Sequence, residues 1–237
     1  MELQGKVALV TGGNRGLGYA IGEKLMQHGA AVVLTGRREE ETRKAAEKLG
    51  CDWVLGDVTD PRQVETMIRQ VLEHHGKIDI LVNNAGISRE MPLMEMPLET
   101  WYEIIHTNLN SVAIVTKAVL PAMEAAGGGA IVNIASAAAI RGLPGSSAYA
   151  AAKAGVVALS QSLGDELRPK GIRVNVVCPG PIDTELFRQS ERRDFILAAG
   201  GDVFDPETVA EGVLFLCSDR SRGMSSQVLT MRGFNRW

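Results

Sequence analysis

The sequence predicts an α/β protein built on one doubly wound parallel sheet. Short runs rich in Val, Ile and Leu alternate with longer stretches in which apolar residues recur at helical spacing. The short runs are mostly apolar at consecutive positions, as expected for strands that are covered by helices on both faces. Because strand and helix alternate to the end of the chain, the strands should pair in parallel through right-handed crossovers.

Seven strands and six helices are expected. The strands run in order through KVALVT (6–11), AVVLT (31–35), CDWVLG (51–56), IDILV (78–82), GAIVNIA (129–135), IRVNVVC (172–178) and QVLTM (227–231). The helices that separate them are 17–28, 39–49, 61–75, 98–125, 147–168 and 206–217. No linker, low-complexity tract or internal repeat interrupts this order, so we expect a single domain over residues 1–237.

Composition and charge narrow the range of partners. The 237 residues are 45% hydrophobic and 22% charged, and 25 basic against 28 acidic residues give a formal net charge of -3. No basic patch dominates, so neither nucleic acid nor an anionic membrane is an expected partner. The first residues lack a signal-peptide pattern and no apolar run reaches the length of a membrane span, which predicts a cytoplasmic protein.

The cysteines and histidines give no sign of a metal site. Cys51, Cys178 and Cys217 are odd in number, widely separated and set among apolar residues, which predicts reduced, buried thiols. His74 and His75 end a predicted helix, where a cation is favoured by the helix dipole, and neither has an evident metal partner in the sequence. No metal is expected.

A glycine-rich turn, TGGNRGLG at 11–18, joins the first strand to the first helix. Gly12 permits the turn, Gly16 lets the main chain approach a ligand, and Gly18 lets helix and strand pack closely. The helix N-terminus then offers free N–H groups and a positive dipole end to a diphosphate. The Gly-x-x-x-Gly-x-Gly spacing differs from the G-x-G-x-x-G fingerprint, but its position after the first strand favours a dinucleotide site over a plain tight turn.

The end of the second strand indicates which dinucleotide. Sites for NAD commonly place an acid here to hold the ribose 2′-hydroxyl, whereas this chain has Gly36 and Arg37. Together with Arg15 in the glycine turn, Arg37 could clamp a 2′-phosphate through planar guanidinium donors. Arg38 is interpreted as a residue of a solvated helix face. NADP(H) is therefore favoured over NAD(H), and the alternative is an NAD(H)-dependent enzyme in which the arginines are incidental.

One predicted helix carries an unusual pair. In SSAYAAAKAG (146–155), Tyr149 and Lys153 lie four residues apart and therefore on the same helix face. Taken alone, the pair reads as two surface residues. A lysine held one turn away would also favour the phenolate, which would lower the pKa of Tyr149.

The ordered set of motifs resembles the classical short-chain dehydrogenase/reductase family over nearly the whole chain. The set comprises TGGNRGLG, NNAG (83–86), Asn108, Ser136, the pair Tyr149 and Lys153, and PGPIDT (179–184). The 13-residue interval from Ser136 to Tyr149 is similar to that of the family, and the two arginines resemble its NADP-preferring branch. The resemblance implies a Rossmann-type fold and a reaction that transfers hydride between nicotinamide and a carbonyl or alcohol substrate.

The resemblance also implies roles for four residues. Tyr149 exchanges a proton with the substrate oxygen, and Lys153 lowers the pKa of Tyr149 and binds the nicotinamide ribose. Ser136 holds and polarises the substrate oxygen. Asn108 positions a water that links Lys153 to solvent. A catalytically silent nucleotide-binding regulator is the less favoured alternative, since it would be free to lose these groups.

Further residues are carried over from the family pattern. The expected cofactor-binding residues are Gly12, Asn14, Arg15, Gly16, Leu17, Gly18, Arg37, Asp57, Val58, Asn84, Ala85, Gly86, Tyr149, Lys153, Pro179, Gly180, Ile182 and Thr184. The expected substrate contacts are Ala138, Arg141, Pro181 and Leu186. Small alanines around Tyr149 suit a close helix–helix approach, and the family implies a homodimer or homotetramer.

Two segments depart from the regular pattern. Residues 183–205 follow the sixth strand, at the sheet edge where ligands bind, and are predicted to form a lid over the substrate. The alternative is a peripheral amphipathic helix without a functional role. Near the C-terminus, Ser225-Ser226 and Met231 to Phe234 replace the Thr-Gly and Val-Asp-Gly-Gly that the family often has. This departure concerns the local turn and the subunit contacts of the tail, and it leaves the catalytic set unchanged.

Overall fold

Seven parallel strands form one sheet in the computed structural model, which describes residues 1–190, 193–198 and 202–232, without the side chain of Phe195. The strands are β1 (Val7–Thr11), β2 (Ala31–Gly36), β3 (Asp52–Leu55), β4 (Ile80–Asn83), β5 (Gly129–Ile134), β6 (Ile172–Pro179) and β7 (Val228–Met231). Their order across the sheet is β3-β2-β1-β4-β5-β6-β7. The predicted seven-stranded, doubly wound parallel sheet is confirmed.

The helices cover both faces of the sheet. They are α1 (Gly16–Gln27), α2 (Glu39–Leu49), α3 (Pro61–His75), α4 (Leu98–Ile105), α5 (Ser111–Ala125), α6 (Ser147–Glu166), α7 (Glu185–Arg188), α8 (Arg193–Ala198) and α9 (Pro206–Cys217). A π-helical turn, His106–Asn110, joins α4 to α5, so the predicted helix over 98–125 is one continuous rod with a widened turn.

The two largest apolar clusters hold the three layers together. On one face, α1, α2 and α9 pack on the sheet through residues such as Ile21, Leu25 and Val213, all fully buried. On the other face, α3 and α5 pack through Met67 and Val119. Burial of each such side chain contributes roughly 1.5–3 kcal/mol to the free energy of folding. The strands, which are apolar at consecutive positions, gain this contribution on both faces and therefore lie at the centre of the protein.

The strand order determines where along the sheet a binding crevice forms. β1 lies between β2 and β4, so the chain reverses its direction of winding at this point. In an open α/β sheet the loops that follow two such strands separate and leave a crevice at their carboxyl ends. The glycine turn after β1 and the NNAG segment after β4 both open onto this crevice.

The turn before β7 keeps its shape without glycine. Ser226 has φ 62° and is the one non-glycine residue with positive φ among those described. Its hydroxyl shares its one hydrogen between the carbonyl of Gln161 at 3.2 Å and Asp165 at 2.9 Å, and this contact compensates for the left-handed backbone. Serine therefore replaces the glycine that the family pattern led us to expect, and residues 233–237 of the atypical tail lie outside the described part.

The cysteines and the lengths of the helices can be compared with the sequence expectations. Cys51, Cys178 and Cys217 are all free; Cys178 and Cys217 are buried and Cys51 is partly buried. In the described part of the chain, no helix is both long enough and apolar enough to cross a membrane.

Candidate active site

A cleft of about 720 Å³ opens at the carboxyl edge of the sheet. It brings together every residue that the sequence singled out for catalysis, cofactor or substrate. Its walls include Gly12, Asn14, Arg15, Gly16, Leu17, Gly18, Arg37, Asp57, Val58, Asn84, Ala85, Gly86, Asn108, Ser136, Ala138, Arg141, Tyr149, Lys153, Pro179, Gly180, Pro181, Ile182, Thr184 and Leu186.

The glycine turn fits a diphosphate. Gly12 and Gly16 have φ of 62° and 52°, a conformation that side-chain-bearing residues rarely adopt. A Cβ at Gly18 would overlap the carbonyl of Gly12 and the amide of Asn84, so only glycine lets α1 start this close to the turn. The α1 N-terminus receives no side-chain cap, which leaves its N–H groups available to an anion.

The NNAG segment braces this turn from the neighbouring strand. Asn84 donates to the carbonyls of Thr11 and Gly12 at 3.0 and 3.1 Å, while the Thr11 hydroxyl accepts from the backbone of Asn84 and Ala85. The preceding Asn83 points into the core and donates to Asn133 at 2.8 Å. The two adjacent asparagines therefore have different tasks, one fixing the cofactor turn and the other joining β4 to β5.

Three arginines line the cleft, and Arg37 directly follows Gly36 at the end of β2. Arg37 is exposed, and its guanidinium lies 4.0 Å from a carboxylate oxygen of Asp57. Arg15 is also exposed and pairs with Glu185 at 2.7 Å across the cleft. Both guanidinium groups are weakly held in screened surroundings, so they are free to turn toward a phosphate.

Arg38 is solvated as the sequence suggested, with a 62% exposed side chain, and it also lines this end of the cleft. It pairs with Glu41 at 2.8 Å, and Glu41 accepts from Asn14 at 3.3 Å. Arg38 lies in the short connection between the end of β2 at Gly36 and the start of α2 at Glu39. The far end thus holds two carboxylates, Glu41 and Asp57, among its cations.

The reactive groups converge at the opposite end of the cleft. α6 places Tyr149 and Lys153 one turn apart, with the Lys153 Nζ 5.8 Å from the centre of the Tyr149 ring. Lys153 is 4% exposed and donates to the carbonyl of Ile134 at 2.8 Å. Ser136 follows β5, where its hydroxyl accepts from the backbone N–H of Ala138 at 3.1 Å and hydrogen-bonds Tyr149.

Burial is the main cause of the pKa shifts of Tyr149 and Lys153. It raises the pKa of Tyr149 above its ordinary value, while the hydrogen bond with Ser136 acts in the opposite direction. Burial lowers the pKa of Lys153 to about 8. Desolvation is the largest cause of this shift in the pKa of Tyr149, and the expected lowering by Lys153 stays a prediction. Tyr149 stays protonated at neutral pH, as a proton donor must.

Asn108 occupies the π-helical turn and is fully buried. Its amide donates to the carbonyls of Ile87 and Ile104, both at 2.9 Å, and its oxygen accepts from the Ile87 N–H at 3.1 Å. A Cβ at Gly86 would lie 2.6 Å from this oxygen and 3.6 Å from the Lys153 Nζ. The side chain therefore fixes the loop after β4 next to Lys153, and the water-positioning role stays a prediction.

The predicted lid is pinned at its base. Ile182 pairs with Phe204 as an isolated parallel bridge, so the two ends of the 183–205 segment lie side by side. Ser190 donates to Glu90 at 2.7 Å, which ties the segment to the loop after β4. Phe187 and Ile196 face the cleft. Residues 191–192 and 199–201 of the predicted lid lie outside the described residues.

Several wall residues were missed by the sequence reasoning. Glu90 is the most distinctive, because its second carboxylate oxygen is buried and has no hydrogen-bond partner within the described structure. Ile87 and Ser88 precede it, and Leu143 and Pro144 lie across the cleft. The residues after β4 could have been predicted from their position in the chain, because the segment that follows β4 must lie at the same sheet edge as the glycine turn.

Comparisons with known proteins agree with this architecture. The family model of the short chain dehydrogenase matches residues 6–194. The chain is 40% identical to the 3-oxoacyl-[acyl-carrier-protein] reductase FabG of Escherichia coli, over 98% of each chain. It is 41% identical to the FabG of Haemophilus influenzae, again over 98% of each chain.

Solved structures give the same result. The crystal structure of gox2181 matches with a TM-score of 0.93 and 33% identity, covering 97% of this chain and 95% of that one. A putative short-chain dehydrogenase/reductase from Burkholderia xenovorans matches with a TM-score of 0.91 and 33% identity, covering 98% and 96%. The resemblance inferred from the motifs is confirmed, and the chain belongs to the short-chain dehydrogenase family of nicotinamide-dependent oxidoreductases.

Proposed function

We propose that this protein is an NADP(H)-dependent reductase of a 3-oxoacyl substrate, carried as a thioester. The observation that carries the proposal is the convergence of Ser136, Tyr149 and Lys153 at one end of a cleft whose other end fits a dinucleotide diphosphate. The substrate class rests on the relatives, several of which are named 3-oxoacyl-[acyl-carrier-protein] reductase.

Three residues of the cleft have different roles in the proposed reaction. When bound, the nicotinamide cofactor supplies the hydride. Tyr149 donates the proton to the substrate oxygen, which its raised pKa permits at neutral pH. The Ser136 hydroxyl stabilises the charge that develops on that oxygen. Lys153 binds the nicotinamide ribose and returns a proton to Tyr149, and its pKa of about 8 lets it do so near neutral pH.

The preference for NADP(H) rests on Arg15 and Arg37. Both guanidinium groups are exposed at the cleft wall, and Arg37 follows Gly36, where an NAD site would carry an acid. A 2′-phosphate would replace the carboxylate partners that these arginines now have. The second candidate is an NAD(H)-dependent enzyme. It is favoured by Glu41 and Asp57, whose carboxylates line the same end of the cleft and could accept from a ribose hydroxyl.

The substrate half of the cleft is largely apolar. Ala138, Leu143, Pro181 and Leu186 supply apolar surface on which an acyl chain could lie. Arg141 stands exposed at the rim of this surface. The lid segment, held to Glu90 through Ser190, would close over the chain and exclude water from the reacting carbon.

The functional form is proposed to be a homodimer or homotetramer that buries the outer face of α6. Ala151, Ala154 and Ala158 are exposed and recur at spacings of three and four residues on that face. Small side chains in such a row let the backbone of a partner helix approach closely.

A cofactor and substrate matrix tests the proposal. The purified protein is assayed through nicotinamide absorbance with NADPH or NADH, against a short 3-oxoacyl thioester and a panel of unrelated ketones and aldehydes. We expect the thioester with NADPH to give the highest kcat/KM, by at least about tenfold over NADH. Faster reduction of an unrelated carbonyl would overturn the substrate class, and faster turnover with NADH would favour the second candidate.

A further inference from the structure

A second cluster of chemically competent side chains lies away from the cleft. Asp52 is the first residue of β3, while His74 and His75 are the last two residues of α3. Each offers one ligand atom, and these three atoms all lie within 4.8 Å of one another. Because Asp52 begins its strand, the cluster lies at the amino edge of the sheet, opposite to the edge that carries the cleft.

Two distances in the cluster, from the Asp52 carboxylate to each imidazole, match those between ligands of one ion, and rotation of the exposed His74 side chain would bring the two imidazoles, now within 4.8 Å, closer together. The Nε2 atoms of His75 and His74 lie 3.1 and 3.6 Å from the same carboxylate oxygen of Asp52. In a tetrahedral site with bonds of about 2.0–2.1 Å, neighbouring ligand atoms are separated by roughly 3.3 Å. Two imidazoles and one carboxylate form a donor set that zinc sites in proteins use.

The orientation of His75 argues against a simple hydrogen bond. Its side chain is 14% exposed, and its Nε2 is buried without a hydrogen-bond partner among the described residues, despite lying 3.1 Å from Asp52. A buried polar atom left in this state is costly. Two ligands of a common ion show this relation, since each directs a lone pair at the ion and not at the other ligand.

The surroundings favour a cation that enters from solvent. His74 and Asp52 are 72% and 54% exposed, so an ion can reach the cluster directly. The cluster also sits at the C-terminal end of α3, where the helix dipole is negative. The nearby Lys77 is engaged with Asp79 at 3.0 Å.

We propose that Asp52, His74 and His75 form a binding site for a divalent transition metal of the zinc class, with water completing the coordination. The ion would tie the edge strand β3 to the end of α3 and so stabilise the fold at the sheet edge. The site is remote from the cleft, and its occupation is expected to leave catalytic activity unchanged.

Zinc alone is the probe that tests this site. The full-length protein is stripped with a chelator, and zinc binding is followed by equilibrium dialysis for wild type, Asp52→Asn, His74→Gln and His75→Gln. His28→Gln, a histidine outside the cluster, is the matched control. Since loss of outer-sphere partners costs 10–100-fold in metal affinity, loss of a direct ligand should weaken zinc binding by at least about tenfold. His74→Gln changes an exposed side chain and keeps the test valid if a buried variant misfolds.

Two further readouts separate a metal site from an ion pair. X-ray absorption of the zinc-loaded protein should give two imidazole nitrogens at about 2.0–2.1 Å in wild type and one in His74→Gln. At free zinc about 100 times the Kd, the thermal midpoint should rise by roughly 5–10 °C in wild type. Wild-type protein that binds no zinc, or cluster variants that bind it as wild type does, would show the cluster to be an ion pair only and overturn the proposal.

Discussion

The two ends of the cleft are built on opposite physical principles. At the catalytic end Lys153 and Asn108 are buried and held by several hydrogen bonds within the protein. At the other end the side chains of Arg15 and Arg37 are 59% and 62% exposed, and each has one carboxylate partner.

This difference predicts how each end responds to change. Buried groups act in a low dielectric without screening, so the removal of one atom there should cost orders of magnitude in rate. Exposed charges are screened by water and salt, so changes there should cost roughly tenfold or less. The catalytic end should therefore control kcat, and the exposed end should control the affinity for the cofactor.

Ser136→Ala should lower kcat more than any other substitution considered except Tyr149→Phe. The variant removes the hydroxyl that bonds Tyr149 and accepts from Ala138. Loss of one such stabilising donor typically lowers kcat by about 10²–10³-fold. Ser147→Ala is the control, because Ser147 begins the same helix as Tyr149 and is absent from the cleft wall. Equal losses in both variants would contradict a specific role for Ser136.

The pH dependence should report the buried lysine. Burial lowers the pKa of Lys153 to about 8, so its ammonium form is populated below this pH and lost above it. The kcat for reduction should be constant near neutral pH and fall by about tenfold for each unit above pH 8. Rates are measured together with circular dichroism, so that unfolding is separated from titration. A rate that stays constant to about pH 10 would exclude Lys153 as the proton source.

Arg37→Asp should abolish the cofactor preference at the exposed end. The new carboxylate repels a 2′-phosphate and can accept from a ribose 2′-hydroxyl. One charge-assisted hydrogen bond is worth about 1.5–3 kcal/mol, and exposure favours the lower limit, so we expect a change of roughly tenfold in the ratio of kcat/KM values. Arg62→Asp makes the same charge change on an exposed helix outside the cleft wall. An unchanged ratio in Arg37→Asp would make Arg37 an ordinary surface charge.

Ala154→Arg should have the smallest effect on the chemistry and act on assembly instead. A long charged side chain on the exposed face of α6 prevents close helix approach, so the oligomer should dissociate toward monomers. Mass measurement in solution across a dilution series reports the change, with Ala125→Arg at the exposed end of α5 as control. A wild-type protein that is monomeric at every concentration would contradict the proposed assembly.

Much of the fold was predictable because its signals are local. Continuous apolar runs identified the strands, and their alternation with helices determined the parallel pairing. The cleft followed from one geometric rule, since residues at the carboxyl ends of parallel strands meet at one edge. That rule places Gly12, Asn84, Ser136 and Ile182 around the same opening.

The features that could not be predicted are contacts between residues far apart in the sequence. The sequence gives no sign that Asp52 meets His75, because the contact joins the start of β3 to the end of α3. The same holds for Glu90, whose partner Ser190 lies 100 residues later. The direction of the Tyr149 pKa also depended on burial, which helical spacing to Lys153 cannot reveal.

The most direct test of the account is a single-turnover experiment on Tyr149→Phe. The variant and wild type are saturated with NADPH, mixed with substrate, and followed by the loss of NADPH absorbance, so that chemistry is separated from binding. We predict unchanged NADPH affinity and a rate lowered by about 10²–10⁴-fold, since the ring still packs while the proton donor is gone. Tyr102→Phe, on the exposed face of α4, should react as wild type does. A Tyr149→Phe rate close to that of wild type would show that this hydroxyl does not deliver the proton.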